Sequence, residues 1–118
     1  MISVIVELSN NGINSLLVSG HANYDKYGKD IVCAGVSAIV VGGINALEEY
    51  LANIEIINEK NLLGIKIIQS NETIQTIMKT IIIQLETIQE SYEKFIKIEK
   101  NNGGVWYVIK IKFTTFCF

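Results

Sequence analysis

One histidine, His21, stands twelve residues before Cys33 in a stretch that reads S-G-H-A-N-Y-D-K-Y-G-K-D-I-V-C-A-G-V-S over residues 19–37. A thiol attacks a carbonyl only as thiolate, and a helix N-terminus or a neighbouring imidazolium favours that form. Cys33 follows Asp30 by three residues, at the point where a polar loop gives way to a long apolar segment. That places it in the first turn of an expected helix, where free N–H groups and the helix dipole favour negative charge. His21 can take the thiol proton and later return it to a leaving amine. The backbone N–H of Cys33 and its neighbours can hold a tetrahedral oxyanion. On residue types alone a plainer reading stands beside this one. A lone Cys in an apolar helix is more often a small buried hydrophobe, and a lone His beside a Gly is more often a satisfied loop residue.

Two side chains near this pair each have two readings. Asp30 can cap the helix, which is worth about 1 kcal/mol, or it can orient His21 in the required tautomer. Ser37, one turn after Cys33, can hydrogen-bond in the site or bond back to its own i−4 carbonyl. Between His21 and Asp30 the chain is a polar loop bracketed by Gly20 and Gly28, which are candidate hinges. Gly20, Ala22, Tyr24, Tyr27 and Gly28 form a candidate substrate-binding loop. Its two tyrosines are expected to touch aromatic residues of a bound peptide. Cys117 has no base nearby in sequence and is read as a passenger.

The elements that must position these residues follow from pattern. Residues 2–8 alternate Ile2, Val4, Val6 and Leu8 against Ser3, Ile5 and Glu7, the period of a strand. Asn10-Asn11-Gly12 signals a turn, and residues 13–19 return as its hairpin partner. A helix is expected from Asp30 to about Ala52. A second hairpin spans residues 54–59 and 62–69 around Lys60-Asn61. Asn71 or Ser70 caps a second helix with Glu72 in its first turn. Met78, Ile81, Leu85, Ile88, Tyr92 and Phe95 recur at helical spacing and extend that helix to Asn101-Asn102-Gly103-Gly104. Glu90 with Lys94 and Glu93 with Lys97 would then be i,i+4 pairs on its wet side. A last strand is expected over residues 105–113. The order is ββαββαβ, an α+β arrangement with a single sheet and two long helices. All 118 residues are expected to make one domain. The Gly42-Gly43 pair is expected to let the first helix pack closely on a neighbour, within the monomer or in a dimer.

The bulk numbers narrow the function. A net charge of −2 and a pI near 5.4 argue against direct nucleic-acid binding, which needs clustered Lys and Arg. Two distant cysteines make no disulfide framework, and with one histidine they make no zinc site. No metal or cofactor is expected. Residues 31–47 carry no charge, but Ser37, Gly42, Gly43 and Asn45 interrupt them and Glu48-Glu49 close them. A buried helix is the expected reading, with no membrane span. The N-terminus shows no signal-peptide pattern, and reduced thiols suit a cytoplasmic location. The chain is 49% hydrophobic with a mean hydropathy of +0.33, so a second copy is expected to cover part of its surface.

Gly20-His21-Ala22, then Gly28-x-Asp30-Ile31-Val32-Cys33-Ala34, then Val36-Ser37-Ala38 resemble, without gaps, the motif of the ribosomal-processing cysteine protease family, often called Prp. Length and element order resemble it over nearly the whole chain. Gly35 departs, since the family usually has Ala there. The resemblance implies a small cytoplasmic homodimer of Firmicutes-like bacteria and their relatives. It implies a cysteine endopeptidase that removes the N-terminal extension of a large-subunit ribosomal protein, cutting after a Phe-rich stretch, with Cys33 and His21 as the dyad. Two other classes stay open on the residues themselves: a non-catalytic ribosome-associated binding module, and a sensor in which Cys33 cycles through sulfenic acid.

Overall fold

The computed structural model describes residues 1–102 except 11, 27 and 51. Strands β1 (Ile2–Ser9) and β2 (Gly12–Ser19) form an antiparallel hairpin, with a register shift between Glu7 and Leu8. Helix α1 (Ile31–Glu49) follows, then β3 (Asn53–Glu59), β4 (Leu62–Gln69), helix α2 (Glu72–Ser91) and β5 (Ile96–Asn102). The five strands lie in one sheet in the order β3-β4-β2-β1-β5. β5 runs parallel to β1, and the other pairs are antiparallel. The element order is ββαββαβ, an α+β fold with one mixed sheet and two long helices.

Alternation in β1 buries Ile2, Val4, Val6 and Leu8 on one face. The helices cover that face. α1 contributes Val32, Val36, Val40, Ile44 and Leu47, and α2 contributes Ile74, Met78, Ile81, Ile82 and Leu85. Each such buried side chain stabilises the fold by about 1.5–3 kcal/mol. α1 is long and apolar enough to cross a bilayer, but its valine stripe belongs to this core. The two helices touch closely at Gly43, where an added Cβ would run into Ile81 Cδ1. Gly43 thus provides the expected close packing, whereas Gly42 has no atom within 4 Å of the same position. Gly35 faces Ile88, whose Cδ1 would be 3.0 Å from an alanine Cβ.

Two capping side chains start the helices. Asp30 Oδ1 accepts from Cys33 N at 3.0 Å, and Asn71 Oδ1 accepts from Ile74 N at 2.9 Å. Gln75 ties α2 to the first hairpin. Its Oε1 accepts from Ile13 N at 2.8 Å, and its Nε2 donates to Ile13 O at 2.9 Å. This doubly bonded amide stands in for a strand partner beside the irregular end of β1.

The C-terminal half of α2 corrects the sequence expectation. The helix stops at Ser91, and Tyr92 caps it. The N–H of Phe95 donates to Tyr92 O at 2.9 Å and closes the turn. Ile2 N then donates to Phe95 O at 2.8 Å and opens the parallel ladder to β5. Tyr92 and Phe95 continued the helical spacing by coincidence. Ile96-Lys97-Ile98-Glu99-Lys100 has the period of a strand, with Ile96 fully buried, and the open edge of β1 needs a partner. Glu93 and Lys97 are therefore not one helical turn apart. Lys97 pairs with Glu99 at 3.2 Å, and Lys100 reaches Glu86 of α2 at 2.9 Å. The strand expected over residues 105–113 lies outside the described residues.

Candidate active site

Every side chain expected to do chemistry sits where β2 ends and α1 begins. The register of β2 with β4 pairs Ser19 with Leu62, so the chain leaving β2 runs alongside the β3–β4 turn. Gly20 lies at φ 84° with no room for a Cβ, which would come 2.6 Å from Met1 O. That contact makes Gly20 a close-packing glycine. Gly28, at φ 85°, has open space around it.

Asp30 organises the loop. One carboxylate oxygen caps α1 through Cys33 N. The other accepts from Tyr24 N at 2.9 Å and Asp25 N at 3.4 Å. Slight burial raises its pKa, but these three N–H groups and the Cys33 thiol together hold it below the usual carboxylate value. Both oxygens serve backbone donors, so the structure supports the capping role of Asp30. The ring of His21 hydrogen-bonds elsewhere.

Cys33 is half-buried and unpaired in any disulfide. Its Sγ accepts from Ala22 N at 3.4 Å, and Ala22 itself is buried. The residue beside His21 thus delivers a backbone donor to the sulfur. The N–H of Cys33, one of the donors expected for an oxyanion together with its neighbours, donates to Asp30 in this structure. Cys117 lies outside the described residues.

His21 is exposed, and its Nε2 lies 2.8 Å from Asn61 Oδ1. His21, Asp30, Cys33, Ser37 and Asn61 all line one open cleft of about 890 Å³. The imidazole and the thiol share this cleft without a hydrogen bond between them. Ser37 is exposed, and among the described residues its hydroxyl makes neither of the two expected bonds. Tyr24 is placed differently from the expectation. Its ring stands edge-on to Phe95 at 5.0 Å and to Tyr92 at 5.5 Å, pinning the loop to the α2–β5 connection. Tyr27 lies outside the described residues. Asn61 was missed from sequence, where it is one more polar turn residue forty positions from His21. Only the pairing of Ser19 with Leu62 signals its proximity.

A thiol in the first turn of a helix, with an N–H aimed at its sulfur and an imidazole on the same cleft, is equipment for thiol-dependent acyl transfer. The comparisons agree with that class. The family model for cysteine protease Prp matches residues 1–97. The ribosomal processing cysteine protease Prp of Staphylococcus aureus is 34% identical over 103 residues, covering 83% of this chain and 97% of its own. That of Bacillus subtilis is 30% identical over 110 residues, covering 86% and 98%. The crystal structure of the S. aureus protease with a covalently linked product peptide matches with a TM-score of 0.81 at 30% identity, over 86% of this chain and all of the other. Its complex with a substrate peptide matches with a TM-score of 0.77 at 29% identity, again over 86% of this chain and all of the other. The chain belongs to the cysteine protease Prp family, and it is a cysteine protease.

Proposed function

We propose that this chain removes the N-terminal extension of a large-subunit ribosomal protein precursor in the cytoplasm, with Cys33 as nucleophile and His21 as general base and acid. The observation that carries the assignment of Cys33 is its Sγ at 3.4 Å from Ala22 N, on a cleft lined also by His21. His21 takes the thiol proton as sulfur attacks the scissile carbonyl. It then passes that proton to the leaving amide nitrogen, and the C–N bond breaks to leave a thioester on Cys33. Water, losing a proton to His21, attacks the thioester, and the new C–O bond replaces C–S. The proton returns to the departing sulfur. Gly20, Asn23 and Gly28 line the cleft as its loop wall, so the substrate-binding role is kept for that segment. Ser37 lines the same cleft and would contact bound peptide.

A homodimer is part of the proposal. Ile31, Val41 and Ile83 are large apolar side chains left 49%, 46% and 51% exposed, and a second copy would cover such surface. A concentration-independent monomer mass in sedimentation would refute the dimer without touching the chemistry.

The test of the activity is mass spectrometry of the host's own ribosomal protein precursor after incubation with the chain and with Cys33→Ala. One N-terminal cut by the unmodified chain alone is expected. No cut by either, with binding retained, would favour a binding module. Peroxide-dependent change at Cys33 without hydrolysis would favour a redox sensor.

A further inference from the structure

We infer that Asn61 is a positioning residue that fixes which ring nitrogen of His21 faces the reaction. The inference rests on the reading of His21 as general base. An amide oxygen only accepts hydrogen bonds, so His21 Nε2, 2.8 Å from Asn61 Oδ1, carries the ring proton in the neutral imidazole. Nδ1 is then the nitrogen with the free lone pair, the one able to take the Cys33 proton. When the ring becomes imidazolium, the same bond is charge-assisted and stronger. Asn61 thus supports the charged form as it develops, as the orienting member of a Cys-His-Asn arrangement does.

The fold supplies this contact by register. Glu59 pairs with Leu62 across the β3–β4 turn, and Leu62 pairs with Ser19 of β2. Asn61, one residue before Leu62, therefore meets the residues just after Ser19. It holds them twice, since its carbonyl also accepts from Gly20 N at 3.3 Å. Its φ of 62° lies in the left-handed region, which Asn tolerates better than most side chains. A simple turn residue would explain that φ but not the ring contact.

Three variants separate positioning from turn formation. Asn61→Gly keeps the left-handed turn and removes the amide. Asn61→Asp keeps an acceptor and adds charge. His21→Ala tests the underlying reading. The first measurement uses ¹⁵N shifts of the His21 ring, with no substrate present. The unmodified chain is expected to be protonated at Nε2, and Asn61→Gly is expected to show a mixture of tautomers. In peptide cleavage, Asn61→Gly is expected to keep its KM and lose about 10- to 100-fold in kcat, the value of a hydrogen bond to a charged group. The acidic limb of its pH–rate profile moves to lower pH, and that of Asn61→Asp moves to higher pH. Asp25, Lys29, Asp30, Cys33 and Glu59, the other titratable groups lining the cleft, are the same in both variants, so opposite shifts belong to position 61. An unchanged tautomer in Asn61→Gly, or acidic limbs that stay in place, would overturn the inference. Full cleavage by His21→Ala would instead remove the base assignment on which the inference rests, while the ring shifts would still report the bond.

Discussion

Asp30 offers the sharpest separation between holding the helix and holding the loop, because its two oxygens do different jobs. Oδ1 caps α1 through Cys33 N, and Oδ2 gathers Tyr24 N and Asp25 N. Asp30→Ala removes both functions. The lost cap costs about 1 kcal/mol, which for a chain of this size lowers Tm by roughly 3–6 °C. Asp30→Asn retains an amide oxygen for Cys33 N, and Asn caps about as well as Asp. Its Tm should therefore fall by no more than about 2 °C. The amide NH₂ of that variant, however, faces two backbone donors and cannot accept from them. Tyr24 and Asp25 amides should exchange hydrogen faster in Asp30→Asn, and the loop that carries Ala22 to the Cys33 sulfur should loosen. Peptide cleavage should drop although the fold stands. The acid dependence follows from the same contacts. The folded pKa of Asp30 lies below its unfolded value, so its contribution is complete above the ordinary aspartate pKa of about 3.9. It is lost as pH falls through the lower folded pKa. Asp30→Asn should remove that part of the acid sensitivity. Thermal denaturation with hydrogen exchange read at single amides checks the whole set. Equal Tm losses in both variants, or Tyr24 and Asp25 amides exchanging at the original rate in Asp30→Asn, would refute the division of labour.

Adjacent glycines in α1 should respond with opposite signs. Gly42→Ala meets open space and should stabilise by about 0.5–1 kcal/mol through helix propensity. Gly43→Ala drives a Cβ into Ile81 and should destabilise by about 1–3 kcal/mol, with partial rescue by Ile81→Val, all measured by urea denaturation. Gln75→Ala leaves both Ile13 N and Ile13 O without their amide partner. It should cost about 1–3 kcal/mol, whereas Thr73→Ala, exposed in the first turn of the same helix, should cost little. Equal losses in those two variants by the same method would count against the structural role of the Gln75 amide.

What was legible in the sequence had a short-range cause. The β1 alternation places Ile2, Val4, Val6 and Leu8 on one face without reference to any other element. Asp30 is a capping residue type, three residues before the N–H it captures. The Gly42-Gly43 pair reads as close packing because little else justifies two glycines inside a helix, and within this chain Gly43 is used that way. The failures had long-range causes. The end of α2 was misread because Tyr92 and Phe95 happen to continue a helical period, while the open edge of β1 claims Ile96–Asn102 as a strand. The contact of Asn61 with His21 arises from three strands in register. Tyr24 reads as a substrate contact from its residue type and loop position, whereas its packing edge-on against Tyr92 and Phe95 depends on residues some seventy positions away.

In the proposed reaction the Cys33 sulfur forms the acyl bond. The most direct measurement is rapid-quench intact-mass spectrometry of the chain mixed with a peptide spanning the precursor cleavage site, followed by digestion to locate the adduct. A transient thioester on Cys33, absent in Cys33→Ala, is expected. An adduct on Cys117, or cleavage that persists in Cys33→Ala, would contradict it.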